Sequence, residues 1–390
     1  MNICIINERF NKRGGVGRVA TEVANMLHTD GYQVSLIDFS GENVYTYEVN
    51  EKIKRPHAIS KLSFKKKLIR KILNGKFYLD HKSLNINWIY KKQINDLLRY
   101  LENNVFDIII VCQGLLTSFI PKIKNEIPKI KIVAWQHNEY EIYTQYYYKK
   151  FIHNYICGIK KADLVVCLTE KDCQKFKELN ENSIFIYNPI TIENNEGKTT
   201  DLKQKNIIFV GRLLMKQKGL NYLIEIGKKL PNGWRILVAG EGKDKKLFKK
   251  LIIENELQDK IILKGNLYNK DLIKFYLSGS IFISTSRWEG FGLVLTEAML
   301  FGLPIVSFKN NGPFEILKRH ENYYGILIER GNIDGFISEI INLIKNPDVL
   351  TEYQKKSLER VQDFKKERIL ENWNEKLKKT YFSDDCEERI

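Results

Sequence analysis

The stretch STSRWEGFGLVLTEAMLFGLP, residues 284–304, holds the densest set of residues able to do chemistry. An apolar run ends at Ser284-Thr285-Ser286, a turn carries Glu289, Gly290 and Gly292, and Leu293 opens a helical pattern. Glycines in such a turn let backbone come close to a ligand. The first-turn amides of the helix have no intrahelical acceptor, so they form an anion site suited to a diphosphate. Glu289 precedes the helix and Glu297 lies in its first turns. The two carboxylates can therefore face one ligand, one near each end of it.

This E-x7-E element, with Glu289-Gly290-Phe291-Gly292 before the helix and Glu297-Ala298-Met299 within it, resembles the retaining glycosyltransferases of family 4. Three further matches stand in the same order as in that family. They are Phe209-Val210-Gly211-Arg212-Leu213 with Lys218-Gly219, Ala239-Gly240-Glu241-Gly242, and Asn311-Gly312-Pro313-Phe314-Glu315. In the first half, Gly14-Gly15, His137, Ala162-Asp163 and Asn188-Pro189 also match, more weakly. The resemblance implies the GT-B fold, two facing Rossmann-like domains with a cleft between them.

It also implies roles, position by position. Arg212 and Lys218 would hold the donor diphosphate, where cations stabilise charge that grows as the leaving group departs. Glu289 would contact the hydroxyls of the transferred sugar, and Glu297 those of the ribose. The amides of Phe291, Gly292 and Leu293 would cover the distal phosphate. Gly14 and Gly15 would lie across the cleft, and His137 near the donor sugar and the active centre. Backbone near Gly240 and Gly242 would hold the base. Nothing there separates uracil from guanine, and a uridine donor is the common expectation. Each residue also has a structural reading: a surface Arg or Lys, an acid at a helix start or on a solvated face, a buried histidine. Retention of configuration is implied, and no carboxylate stands out for a double displacement. Front-face attack assisted by the departing phosphate is the expected route.

The elements that must position these residues are legible as apolar runs separated by glycine turns. Asn2 to Asn7 reads as a strand, followed by the Arg13–Gly17 turn, a helix from Val19 to Leu27 and a strand from Val34 to Phe39. This is a βαβ unit. Strands are expected at Phe106–Cys112, Ile130–Trp135, Leu164–Leu168 and Ser183–Ile186. Lys198 to Lys205 is polar and reads as a linker. Strands then recur at Asn206–Val210, Trp234–Ala239, Ile261–Lys264, Ile281–Thr285 and Pro304–Phe308. The expected α/β domains are 1–195, on the acceptor side, and 205–370, holding the nucleotide-sugar. A helix at about 370–390 would pack back onto the first.

A chain of 390 residues is long enough for two cores. No stretch resembles a signal peptide or reaches the ~20 apolar residues of a membrane span. The expected location is the cytoplasm, or the inner face of the cytoplasmic membrane. Six cysteines form no C-x-x-C pair, and Cys4, Cys112 and Cys167 read as buried apolar residues. Asp384-Asp385 lie in the polar tail, and no Asp-x-Asp ends a strand. No metal or other cofactor is expected.

The net charge of +16 suits nucleic acid, an anionic membrane or phosphorylated substrates. Residues 61–73 interleave basic and apolar positions, which fits either a helix docked on an anionic leaflet or one with its apolar side in the core. The aromatic run Tyr140 to Phe151 is either an acceptor surface or a packed helix. The expected partners are a nucleotide-sugar donor and a glycan or lipid-linked glycan acceptor of lipopolysaccharide or capsule type. A nucleotide-sugar epimerase is the nearest alternative. A basic nucleic-acid-binding protein is another, although no helix-turn-helix, zinc or RNP signature is present.

Overall fold

The computed structural model describes residues 1–80 and 83–382. Cys386 and Asp384-Asp385 lie outside the described residues, as does the end of the helix expected at 370–390. The chain forms two compact units. One comprises Met1–Pro189 with the chain from Lys366 onward, the other Ile190–Lys365.

The first unit is built on six parallel strands, β1 (Asn2–Asn7), β2 (Gln33–Asp38), β3 (Ile108–Cys112), β4 (Lys131–Trp135), β5 (Leu164–Cys167) and β6 (Ser183–Phe185), in the order β2-β1-β3-β4-β5-β6. Every residue of β3, β4 and β5 is buried. Burial on both faces explains why these strands read as continuous apolar runs rather than alternating ones. The helix Gly15–Thr29 connects β1 to β2 and turns Val19, Ala20, Val23, Ala24 and Leu27 inward. Phe106 and Asp107 fall outside β3. The Asp107 carboxylate instead accepts the Asn2 amide at 2.7 Å.

The last described helix, Lys366–Tyr381, belongs to this unit. Its Trp373 is fully buried edge-on to Trp135, with ring centroids 4.9 Å apart. Lys366 pairs with Glu22 at 2.7 Å, and Asn374 Nδ2 donates to Asp30 at 2.8 Å.

The second unit carries β7 (Asn206–Val210), β8 (Arg235–Ala239), β9 (Ile261–Gly265), β10 (Ile281–Ser284), β11 (Ile305–Phe308) and, past a two-residue ribbon of β12 (Lys318–Arg319) and β13 (Asn322–Tyr323), β14 (Ile326–Ile328). The sheet runs β14-β11-β10-β7-β8-β9, all parallel. Half-buried and only three residues long, β14 leaves too little pattern to be expected from sequence.

The segment 198–205 is not a free linker. Thr200 is buried, its amide bonds the Phe301 carbonyl at 2.9 Å, its hydroxyl bonds Gly279 O, and its own carbonyl accepts from Gln354 at 3.0 Å. Thr200 thus tethers the segment to the second unit, while most of its other polar side chains are exposed. The chain changes units earlier, at Pro189–Ile190.

Replacing Trp373 with Ala should cost about 3 kcal/mol by leaving a cavity against Trp135. Denaturant unfolding of the full chain checks this, and a loss under about 1 kcal/mol would show that the helix is only loosely held.

Candidate active site

In an open parallel sheet, ligands bind beyond the carboxyl ends of the strands where the strand order reverses. In the second unit that reversal falls between β7 and β10, which are hydrogen-bonded neighbours. The loop after β7 carries Arg212 and Lys218, and the loop after β10 carries Glu289. Topology alone therefore brings these loops to one place.

Lys218 and Glu289 form an ion pair, with side chains only 9% and 20% exposed. Lys218 ends a single turn of helix, Met215–Lys218, and Gly219 follows in the left-handed region at φ 63°. A Cβ at Gly219 would collide with the Thr285 carbonyl, so the two loops touch backbone to backbone. Thr285 Oγ1 donates to the Lys218 carbonyl at 2.8 Å, and the Arg287 amide donates to Gln217 O at 2.8 Å. Arg287 then clamps the turn from outside. Its guanidinium donates to Met215 O, Lys216 O and Asn221 Oδ1 and lies over the Tyr222 ring. Asp244 accepts the Met215 amide at 2.8 Å, which starts the turn. Arg212 is exposed on the same loop.

Gly292 has φ 104° and caps the helix Leu293–Leu300. Phe291 is buried and meets Phe364 edge-on at 5.8 Å. Glu297 is not on a solvated face. It is 1% exposed and accepts from Tyr276 Oη at 2.7 Å and from Thr191 Oγ1 at 3.4 Å. Gly240 and Gly242 have a packing role. A Cβ at either would strike the carbonyl oxygen of Gly211 or Leu213. The Leu213 amide bonds Glu241 O at 2.9 Å, so this turn presses directly on the loop that carries Arg212.

In the first unit the strand order reverses between β1 and β3. Gly14 and Gly15 begin the helix after β1. The Gly14 amide donates to Tyr47 Oη at 3.0 Å, and the space beside its Cα is open. Glu8 follows β1 directly, and burial raises its pKa to about 7 against the opposing charges of Arg9 and Arg70. His137 follows β4. Its ring lies against Trp135 at 4.4 Å, its backbone amide donates to Tyr143 Oη at 3.0 Å, and its buried Nε2 has no partner among the described residues. Burial lowers its pKa to about 3, so the imidazole is neutral at ordinary pH. The aromatic run divides: Tyr143 and Tyr148 are core residues, while Tyr146 and Tyr147 are exposed. No group of three or more His, Cys, Asp or Glu among the described residues could hold a metal ion.

Two family models match the chain, Glycosyltransferase Family 4 over residues 13–194 and Glycosyl transferases group 1 over residues 191–360. An uncharacterized glycosyltransferase of Haemophilus influenzae is 30% identical over 371 residues, covering 92% of this chain and 95% of the relative. The chain belongs to the glycosyltransferases. The amylovoran biosynthesis glycosyltransferase AmsD of Erwinia amylovora is 24% identical over 96% of this chain and 99% of its own. Among solved structures, a point mutant of Staphylococcus aureus TarM in complex with fondaparinux, alpha-GlcNAc-glycerol and UDP superposes with a TM-score of 0.71 at 18% identity, covering 96% of this chain and 99% of that one. Anabaena HepE in complex with UDP gives 0.72 at 16% identity, covering 97% and 100%. At such identities these two show the fold, which is GT-B.

The glycosyltransferase thus brings Lys218 and Glu289 into contact and holds Arg212 on the same loop as Lys218. Sequence reasoning passed over Tyr276, Thr191, Arg287 and Asp244. Tyr276 and Thr191 stand 21 and 106 positions from Glu297, and no local pattern links them. Asp244 stands close behind Gly242, and Arg287 lies within the 284–304 stretch itself, but its partners are backbone carbonyls and Asn221 on another loop.

The low pKa of His137 has a measurable consequence. Between about pH 6.5 and 3 the unfolded chain binds a proton at this position that the folded chain does not. Stability therefore falls as pH falls through that window. In His137→Gln the unfolding free energy should fall less steeply between pH 6 and 4, by up to about 1.4 kcal/mol per pH unit. Equal slopes would show that the folded state accepts the proton at no cost.

Proposed function

We propose that this glycosyltransferase moves a hexose or N-acetylhexosamine, with retention of configuration, from a UDP-sugar to a lipid-linked or lipopolysaccharide- or capsule-type glycan. The observation that carries the reading is the Lys218–Glu289 pair at the strand-order reversal of the second unit, beside the tip of the Leu293–Leu300 helix. A diphosphate entering there meets Lys218, Arg212 and the amides of Phe291, Gly292 and Leu293. Lys218 can exchange one anionic partner for another, which frees Glu289 to accept hydrogen bonds from sugar hydroxyls. Glu297, positioned by Tyr276 and Thr191, would accept from the ribose hydroxyls. Backbone at Gly240 and Gly242 would border the base. The family resemblance assigns Gly14, Gly15 and His137 of the first unit, on the acceptor side, to the surroundings of the donor; the space beside Gly14 is open and the His137 imidazole is neutral. UDP in the TarM and HepE complexes supports the choice of donor, and AmsD's role in amylovoran biosynthesis supports that of a cell-surface glycan.

In the front-face route, the bond from the anomeric carbon to the phosphate oxygen breaks first. The acceptor hydroxyl oxygen then bonds to that carbon from the same face, and its proton passes to the departing phosphate. Fixed cations and amides stabilise the growing charge, so no step needs a metal. Glu289→Ala and Arg212→Ala should each lower kcat about 100-fold or more while leaving the fold intact, measured by nucleotide release across a panel of donor sugars. Turnover should survive excess chelator, and a chelator-silenced enzyme or an active Glu289→Ala would contradict the mechanism.

The same protein is proposed to sit peripherally on the inner face of the cytoplasmic membrane. No helix among the described residues is long and apolar enough to cross a membrane. The helix Phe64–Asp80 instead points Phe64, Leu68 and Ile72 outward at 82%, 49% and 59% exposure, on one face and flanked by Lys65 and Lys71. Exposed apolar residues beside lysines suit a headgroup interface. Phe64→Ser with Leu68→Ser should lose most of its flotation with phosphatidylglycerol vesicles at low salt, and unchanged flotation would dismiss this face as the contact.

A further inference from the structure

Away from the reaction centre, the first unit holds a groove of about 510 Å³ between the start of the Phe64–Asp80 helix and the helices Ile86–Ile89 and Lys91–Glu102. Lys61, Lys66, Lys91 and Lys92 line it, together with Trp88 and Gln93, and no carboxylate does. None of the four lysines is in an ion pair among the described residues. Lys66 Nζ donates to the Trp88 carbonyl at 3.1 Å and lies over the indole ring, which fixes one ammonium at the wall. Desolvation, then the like charges of Lys65 and Lys91, push the Lys66 pKa below its ordinary value. Like charges gathered without a counter-charge favour an anion that bridges them.

A second observation narrows the anion. Gln93 is 3% exposed, and its Nε2 donates to Ser60 O at 3.1 Å. Its Oε1 is buried with no hydrogen-bond partner. A buried acceptor left unmet costs stability, so a donor on a bound molecule is favoured there. Sulfate satisfies the lysines and offers Oε1 nothing, and the single hydroxyl of the phosphate dianion HPO4²⁻ sits on the phosphorus that the lysines themselves hold. A molecule carrying a phosphate and neighbouring hydroxyls satisfies both.

We propose that this groove binds a phosphorylated polyol or sugar, with the phosphate among Lys61, Lys66, Lys91 and Lys92 and a hydroxyl donating to Gln93 Oε1. Binding itself is independent of the transfer chemistry. Its role, holding a phosphate-bearing portion of the acceptor, rests on the reading of the first unit as the acceptor side.

Titration calorimetry of the full chain with sn-glycerol 3-phosphate, inorganic phosphate and glycerol tests the site. Glycerol 3-phosphate should bind about tenfold or more tighter than inorganic phosphate, and glycerol alone should not bind detectably. The double variant Lys66→Ala/Lys91→Ala should lose at least about tenfold toward both phosphates, because charge-assisted contacts are the strong ones. Gln93→Leu should lower glycerol 3-phosphate to the level of inorganic phosphate and leave the latter unchanged. Should Gln93→Leu fail to fold, the lysine pair still decides. Unchanged binding in the double variant overturns the site, and so does equal affinity of the wild type for glycerol 3-phosphate, phosphate and sulfate. A groove that binds phosphatidylglycerol vesicles through Lys66 and Lys91 but no soluble glycerol 3-phosphate is a lipid site, and that result also overturns the proposal. Nucleotide release from a UDP-sugar, measured on the same samples, separates failure of this site from failure of the transferase reading.

Discussion

The ion pair between Lys218 and Glu289 is the contact on which the proposed donor site depends. It joins the loops that leave β7 and β10, the two strands between which the sheet reverses its order. Taking one partner away leaves a poorly hydrated charge, which is costly. The pair is stable only while both loops hold their places. In the proposed reading, an incoming diphosphate would offer Lys218 a stronger negative partner, and the sugar's hydroxyls would offer Glu289 donors. On that reading the same two side chains would stabilise the empty site and the loaded one.

Most of the surrounding structure keeps those loops in register. Gly219 lets the Lys218 turn rest on the Thr285 carbonyl, and Gly240 and Gly242 let the next turn rest on Gly211 and Leu213. Arg287 spans the remaining gap with side-chain bonds to Met215, Lys216 and Asn221. On the far side Arg360, buried at 2% exposure, donates to the Glu315 and Ile316 carbonyls and lies over Phe364, the ring that meets Phe291. Fixed donors aimed at one spot need no rearrangement as charge develops, and this is the source of electrostatic catalysis.

Much of this could be read from the sequence, for a physical reason. Strands buried on both faces need unbroken apolar runs, so β1, β3, β4, β7, β8 and β10 announce themselves within a residue or two. Close backbone approaches need glycine, so Gly219, Gly240, Gly242 and Gly292 mark the loops. Long-range side-chain partners leave no such trace. Tyr276 and Thr191 reach Glu297 only through the fold, and the clamp made by Arg287 rests on carbonyls that any residue supplies. The polar stretch 198–205 misled because polarity signals exposure or hydrogen bonding equally, and Thr200 has the latter. Residues 61–73 were legible as basic and apolar. That Phe64, Leu68 and Ile72 face out while Lys66 turns toward Trp88 depends on where the neighbouring helices pack.

The central claim is that the charge pair between the β7 and β10 loops is the seat of the donor diphosphate. A crystal structure of the full chain with UDP addresses it directly. The diphosphate should lie within hydrogen-bond distance of Lys218 Nζ and the Leu293 amide, with the bond from Lys218 to Glu289 opened. UDP bound elsewhere, with Lys218 still paired to Glu289, would contradict the account.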